Sequence, residues 1–286
     1  MTPSLWGLAT GLSWGVSDFM ARYSGRAIGA GPAAIAILGS SAVVLTLWMW
    51  SQGFPVPAYP SKLALAVVAG ALIAAAVPLF YFALGSGPVS VVGPIVGANP
   101  AIIVLIAVMA GARPSTMQYA GMGVTLVGAA LVAHAGDAFA QRGDFAPAAL
   151  KRALLSALAA CLVYAFAVSA AQHSVPLIGE VETLWLLRVT AALVLATGYL
   201  IVKGRPRMPA RWLPFLAAQA TIETAGYLFL FLGSAGPGAE IAAVTSSTFI
   251  VITAFLARLV LGERIGLSQW GGIALVFGGV ATLSAG

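Results

Sequence analysis

Glu223 stands in the middle of a long apolar stretch, and Arg188 stands early in the stretch before it. An ionised side chain deep in hydrocarbon costs between ~2.5 and over 10 kcal/mol, so each such residue needs a partner, water or a task. Gln219, Glu223 and Tyr227 recur at i, i+4 and i+8, which puts an amide, a carboxylate and a phenol on one face of a helix. That face could line a polar cavity, in which Glu223 binds an ammonium group or takes up a coupling proton. The alternative is that it is the structural partner of Arg188. Arg188 does not deprotonate, so it either holds a carboxylate bidentately or neutralises Glu223.

Other polar and aromatic residues gather at similar depth. Trp14 could stack on a ring, and Tyr164 is its positional counterpart 150 residues on. Such a pair suits a ring-bearing or hydrophobic ligand, or else simple helix packing. Gly7, Gly11, Trp14 and Asp18 form one stripe whose glycines allow close helix approach. Asp18 precedes Arg22 by four residues, the spacing of an i,i+4 ion pair near a membrane interface. Tyr81 lies about one turn from Pro78. The segment from Gly93-Pro94 to Asn99-Pro100 must bend, because each proline removes an amide donor. Thr245-Ser246-Ser247-Thr248 puts four hydroxyls in a row. Some can bond back to their own helix, but one side of the turn should face water. Tyr81, Asn99 and Ser247 therefore join Trp14, Tyr164, Arg188, Gln219, Glu223 and Tyr227 as candidate substrate-binding residues.

The elements that position them are membrane spans. The chain has 286 residues, of which 60% are hydrophobic and 8% charged, against about a quarter charged in ordinary soluble domains. With a mean hydropathy of +1.00, this composition excludes a soluble enzyme, a nucleic-acid binder and a disordered tail. Apolar runs of the ~20 residues needed for a crossing fall near 3–21, 31–50, 62–84, 88–110, 116–135, 152–172, 181–202, 211–232, 238–260 and 267–285. The first is span-length with no basic leader, so it reads as retained. A gap holding Asp137, Arg142 and Asp144 separates two groups of five.

The groups resemble each other. Ala110-Gly111-Ala112-Arg113 aligns with Leu261-Gly262-Glu263-Arg264, and Gln118, Gly121 and Gly128 align with Gln269, Gly272 and Gly279. Leu84-Gly85-Ser86 matches Leu232-Gly233-Ser234, and Ile28-Gly29 matches Ile178-Gly179. Because five is odd, the second copy must enter the membrane from the opposite side, the pattern of inverted-repeat transporters with a midplane site. The expected fold is thus an all-α integral membrane protein with ten transmembrane helices as two inverted five-helix repeats, residues 1–136 and 151–286. Eleven Lys and Arg, Arg22 and Arg26 among them, flank odd-numbered spans at their far ends, against Lys62 and Arg113 on the other side. That bias puts both termini on the extracytoplasmic side of the cell (inner) membrane.

Ten helices in two repeats, with Gly262-Glu263-Arg264-Ile265-Gly266-Leu267-Ser268-Gln269-Trp270 opening the last span, resemble the EamA-type branch of the drug/metabolite transporter superfamily. So do Trp14-Gly15-Val16-Ser17-Asp18-Phe19 and the early position of Arg188. The resemblance covers the whole chain. It implies a secondary transporter of small metabolites, commonly an exporter, with amino-acid exporters the nearest branch. The first repeat departs from the pattern: it has Ala112 where the second has Glu263, and Leu38 where the second has Arg188.

Other classes are weaker. An intramembrane enzyme needs a nucleophile–base or metal constellation, and the chain has no HExxH and no mid-span histidine. His134 and His173 lie near helix ends without a second ligand at metal spacing, and the single Cys161 excludes an internal disulfide. Asn99-Pro100-Ala101 is one copy of a tripeptide that water channels use in pairs. The partners expected are a small-molecule substrate and the lipid bilayer, with a proton as candidate coupling ion. No cofactor, metal or nucleic acid is implied, and one chain is enough to enclose a pathway.

Overall fold

The computed structural model describes residues 2–53, 60–111, 113–135, 139, 143–234, 242 and 245–285. Asp137 and Arg142, and most of the ninth expected span before Thr245, lie outside the described residues. The described chain is helical, without strands: α1 (Pro3–Ile28), α2 (Ala30–Ser51), α3 (Pro60–Ser86), α4 (Val89–Gly97), α5 (Asn99–Met109), α6 (Thr116–Ala135), α7 (Pro147–Ile178), α8 (Glu180–Lys203), α9 (Leu213–Ser234), α10 (Phe249–Leu261) and α11 (Leu267–Ala285). Among the described residues, six stretches are long and apolar enough to cross a membrane: Ala30–Ser51, Leu63–Ser86, Val89–Met109, Thr116–Ala135, Pro147–Ile178 and Glu180–Lys203.

The distribution of side chains suits lipid as the solvent. Leu155, Leu158, Leu162 and Phe166 of α7, and Leu193, Val194, Ile201 and Val202 of α8, face outward, while Ser17, Thr125, Arg188 and Gln219 are buried. A chain that puts apolar groups outside and polar groups inside is a multi-pass membrane protein, because hydrocarbon offers polar groups no hydrogen bonds.

Only a single glycine separates α1 from α2 and α7 from α8. Gly29 has φ +91° and Gly179 has φ +95°, a region that side chains with a Cβ rarely adopt. The first and sixth expected spans, 3–21 and 152–172, therefore run on as helix to Ile28 and Ile178. Arg22 and Arg26, expected in a loop, lie on α1 instead. The helix continues because their donors have acceptors there: Arg22 Nη1 donates to the carbonyls of Gly87 (2.7 Å) and Leu84 (3.3 Å). Arg26 Nε donates to Gly85 O at 2.6 Å.

The fourth expected span is two helices. Pro100 has no N–H for the carbonyl of Val96, four residues back, and the helix breaks at Ala98. Asn99 Nδ2 donates to that same Val96 carbonyl at 3.0 Å and so supplies the missing donor.

Three helix pairings can be set beside the expected repeat. The first and eighth spans pack together (α1 with α9), as do the third and sixth (α3 with α7), and each pair becomes the other when span n is exchanged with span n+5. The fifth and tenth, α6 and α11, pack along each other through their repeat-marking glycines. A Cβ on Gly128 would sit 2.6 Å from Val276 N and 2.8 Å from Gly272 O, and one on Gly279 would sit 2.8 Å from Gly121 O. In α1 the glycine stripe continues to Gly15 instead of turning to Trp14. Gly7, Gly11 and Gly15 abut Thr245, Thr248 and Ile252 too closely for any Cβ.

Candidate functional site

A cavity of about 510 Å³ lies at the centre of the helices, with a lobe of about 340 Å³ beside it. Val77, Tyr164, Val168, Arg188, Glu223 and Tyr227 line both. At its heart Arg188 Nη2 donates to Glu223 Oε1 at 2.6 Å, and the guanidinium stands 4.5 Å over the Tyr227 ring. The i,i+4 spacing of Glu223 and Tyr227 on α9 brings both to this one arginine. Burial makes the pair obligatory, because Arg188 is only 3% exposed and an isolated buried charge would cost several kcal/mol. Yet the pair is not fully satisfied: Arg188 Nε and Glu223 Oε2 are buried without a hydrogen-bond partner.

Aromatic rings form the rest of the wall. Trp14 packs against Tyr227 (centroids 4.9 Å apart) and Phe249 (6.1 Å), and Tyr164 against Phe80 (6.2 Å). Asn99 and Ser247, from the two interrupted segments, also face the cavity, as does Tyr81. Of the nine expected site residues, Gln219 alone is not on the wall. It is fully buried behind it, donating to Tyr81 Oη at 3.0 Å and to Ser17 O at 3.3 Å. Its side chain, one turn from Glu223, meets α1 and α3 before it can reach the opening.

Two features escaped the sequence reading. Asp18 lines the cavity and is not paired with Arg22. Its position one turn after Trp14 on α1 was the available signal. The second is a polar cluster around Arg22, one turn beyond Asp18 on α1. Glu263, 8% exposed, accepts from the amides of Val89 (2.9 Å) and Ser90 (3.0 Å) and from Ser90 Oγ (2.5 Å), so it caps the N-terminus of α4. Gln269 Nε2 donates to Ser90 Oγ at 2.9 Å, and Arg22 lies 3.8 Å from the Glu263 carboxylate. Arginines at the C-terminal end of α3 and a carboxylate at the N-terminus of α4 match both helix dipoles. The cluster joins residues from both halves of the chain, and Glu263 and Gln269 were recognisable only as repeat markers.

The two ends of α7 differ. α7 begins at the cluster, where Phe145 lies 6.0 Å from Arg22 Cζ and a Cβ on Gly87 would meet Ala153. Toward its other end, before Ile178, it carries Gln172, which is exposed and lines the cavity with the exposed Glu180 of α8. At ~1.5 Å per residue the helix from Ala153 to Gln172 spans roughly 28 Å, close to the hydrocarbon thickness. The cavity lining thus reaches exposed residues at Gln172 and Glu180, while the Arg22–Glu263 cluster lies at the opposite end of α7.

The comparisons with known proteins agree with this architecture. The EamA-like transporter family matches residues 1–133 and 151–285. A protein from Sinorhizobium sp, described as an uncharacterized transporter in the cobO 3' region, is 34% identical over 134 residues, which cover 46% of this chain and 93% of that one. A solved structure, described only as the crystal structure of a protein, superposes with a TM-score of 0.66 at 20% identity, covering 98% of this chain and 95% of the other. With both segments matched, this chain is a multi-pass membrane protein belonging to the EamA-like transporter family.

Proposed function

We propose that the chain is a secondary active transporter that exports a small amphipathic metabolite, such as an aromatic or hydrophobic amino acid, by alternating access. The observation that carries this reading is the Arg188–Glu223 pair on the wall of an aromatic-lined cavity that reaches exposed residues at Gln172 and Glu180. Rings at Trp14, Tyr164 and Tyr227 suit an apolar body, and the charged pair suits a polar head. The exchange-related helix pairings support two inverted repeats of five spans, 1–136 and 151–286, with the pathway between them inside one chain. In this reading the cavity is closed at the Arg22–Glu263 end, which by the basic-residue bias faces the cytoplasm, and both termini lie outside the inner membrane. Opening that end requires the Arg22–Glu263 cluster to part while the end near Gln172 closes.

Glu223 is the residue on which a co-transported proton would act, since its protonation releases Arg188. In proteoliposomes, Glu223→Gln is expected to abolish uptake driven by an imposed proton gradient while sparing counterflow exchange. Concentrative uptake that survives the substitution would remove Glu223 from coupling.

A further inference from the structure

We propose that Asp18 is the ammonium-binding carboxylate of the cavity, and that it makes the cavity select substrates that carry an amine. This rests on the transport reading above and narrows its substrate class. Asp18 lies on α1, one turn after Trp14 and one turn before Arg22, and it lines the larger cavity together with Trp14. The spacing alone would pair it with Arg22. Arg22, however, is held by the carbonyls of Leu84 and Gly87 and by the Glu263 carboxylate. Among the described residues, the one cation on the cavity wall, Arg188, is held by Glu223.

Asp18 is therefore left without a hydrogen bond or ion pair among the described residues. The other polar groups that face the same cavity from other elements are hydroxyls and amides, Tyr81, Asn99, Tyr164 and Gln172 among them, and are neutral. Asp18 and Glu223 against Arg188 leave one carboxyl without a cation in a site walled by apolar and aromatic side chains. Such a carboxyl holds either a proton or a countercation, and the described protein supplies no cation, so an arriving ammonium takes the place of the proton. The choice of an ammonium follows from the neighbours. Trp14 and Tyr227, 4.9 Å apart, offer ring faces that attract an alkylammonium. The apolar remainder of the wall accommodates the organic body that such a group carries.

The test reads the charge of the cavity directly. A reporter thiol is placed on the wall by Val168→Cys in a Cys161→Ala background. It is reacted with cationic trimethylammonium-ethyl and anionic sulfonatoethyl methanethiosulfonates, each rate normalised to free thiol. We expect the cation to be favoured by roughly tenfold or more, as for a cleft that focuses one sign of charge. Asp18→Asn should bring the preference close to parity, and Asp18→Glu should restore it. Protection of the thiol by phenethylamine should need about tenfold more ligand in Asp18→Asn, while 3-phenylpropionate protects poorly in either protein. No cation preference, or one that Asp18→Asn leaves unchanged in a folded protein, overturns the proposal. A preference that depends on Asp18, with cyclohexylamine protecting as well as phenethylamine, keeps the ammonium site and removes the aromatic-substrate reading.

Discussion

Replacing Glu263 by Gln should open the closed end of the cavity. The substitution keeps the volume of the side chain but turns one carboxylate oxygen into an amide that faces backbone N–H groups. Glu263 now accepts from Val89 N, Ser90 N and Ser90 Oγ, at 2.9, 3.0 and 2.5 Å. Hydrogen bonds to a charged group contribute ~1.5–3 kcal/mol each, and glutamine retains part of them. Arg22, 7% exposed, also loses its countercharge at 3.8 Å. A net weakening of about 2–3 kcal/mol acts on the closed state alone, because the contacts join the two halves at that end. Such a difference shifts a two-state population by roughly 30–150-fold. The assay is the Val168→Cys thiol, labelled by an impermeant reagent from each face of oriented vesicles. In the parent protein the label should enter from the Gln172 face. Glu263→Gln should raise the rate from the opposite face tens of fold and lower it from the first. Unchanged rates on both faces, with the variant folded, would refute the assignment of this cluster as the closure.

Three further outcomes follow from other contacts. Arg188→Gln and Glu223→Gln should each lower the thermal midpoint strongly, as breaking a buried pair costs ~3–5 kcal/mol. The double substitution should recover part of the loss, and additive losses in the cycle would show that the two are not coupled. Gly128→Leu should separate α6 from α11 and destabilise the protein by at least the ~1–3 kcal/mol of ordinary overpacking, because its Cβ meets backbone atoms at 2.6 and 2.8 Å. The control Gly123→Leu, whose Cβ has open space, should be silent in the same melting experiment. Asn99→Ala removes the donor to Val96 O at the break between α4 and α5. It should cost about 1 kcal/mol in the melt.

The membrane class and the helix periods were legible because lipid-facing surface demands apolar residues all along the chain, a signal that local sequence carries. The glycines at matched positions were legible for a related reason: Gly121, Gly128, Gly272 and Gly279 sit where only hydrogen fits. Arg188 and Glu223 stood out by the cost of charge at depth, and the structure brings them to 2.6 Å. What sequence did not reveal depended on competition for partners. Asp18 and Arg22 have the spacing of an ion pair, but the carbonyls at the end of α3, sixty residues away, take the arginine. Gln219 shares a stripe with Glu223, yet α1 and α3 close over it. Neither outcome is local, so neither could be read from spacing.

The most direct measurement of the central claim is counterflow in proteoliposomes containing the purified protein and labelled phenylalanine, with a panel of other amino acids alongside. The account predicts saturable exchange that the unlabelled compound competes and that Trp14→Ala and Glu223→Ala abolish. Exchange that persists unchanged in both variants would contradict the claim that this cavity is the path the substrate takes.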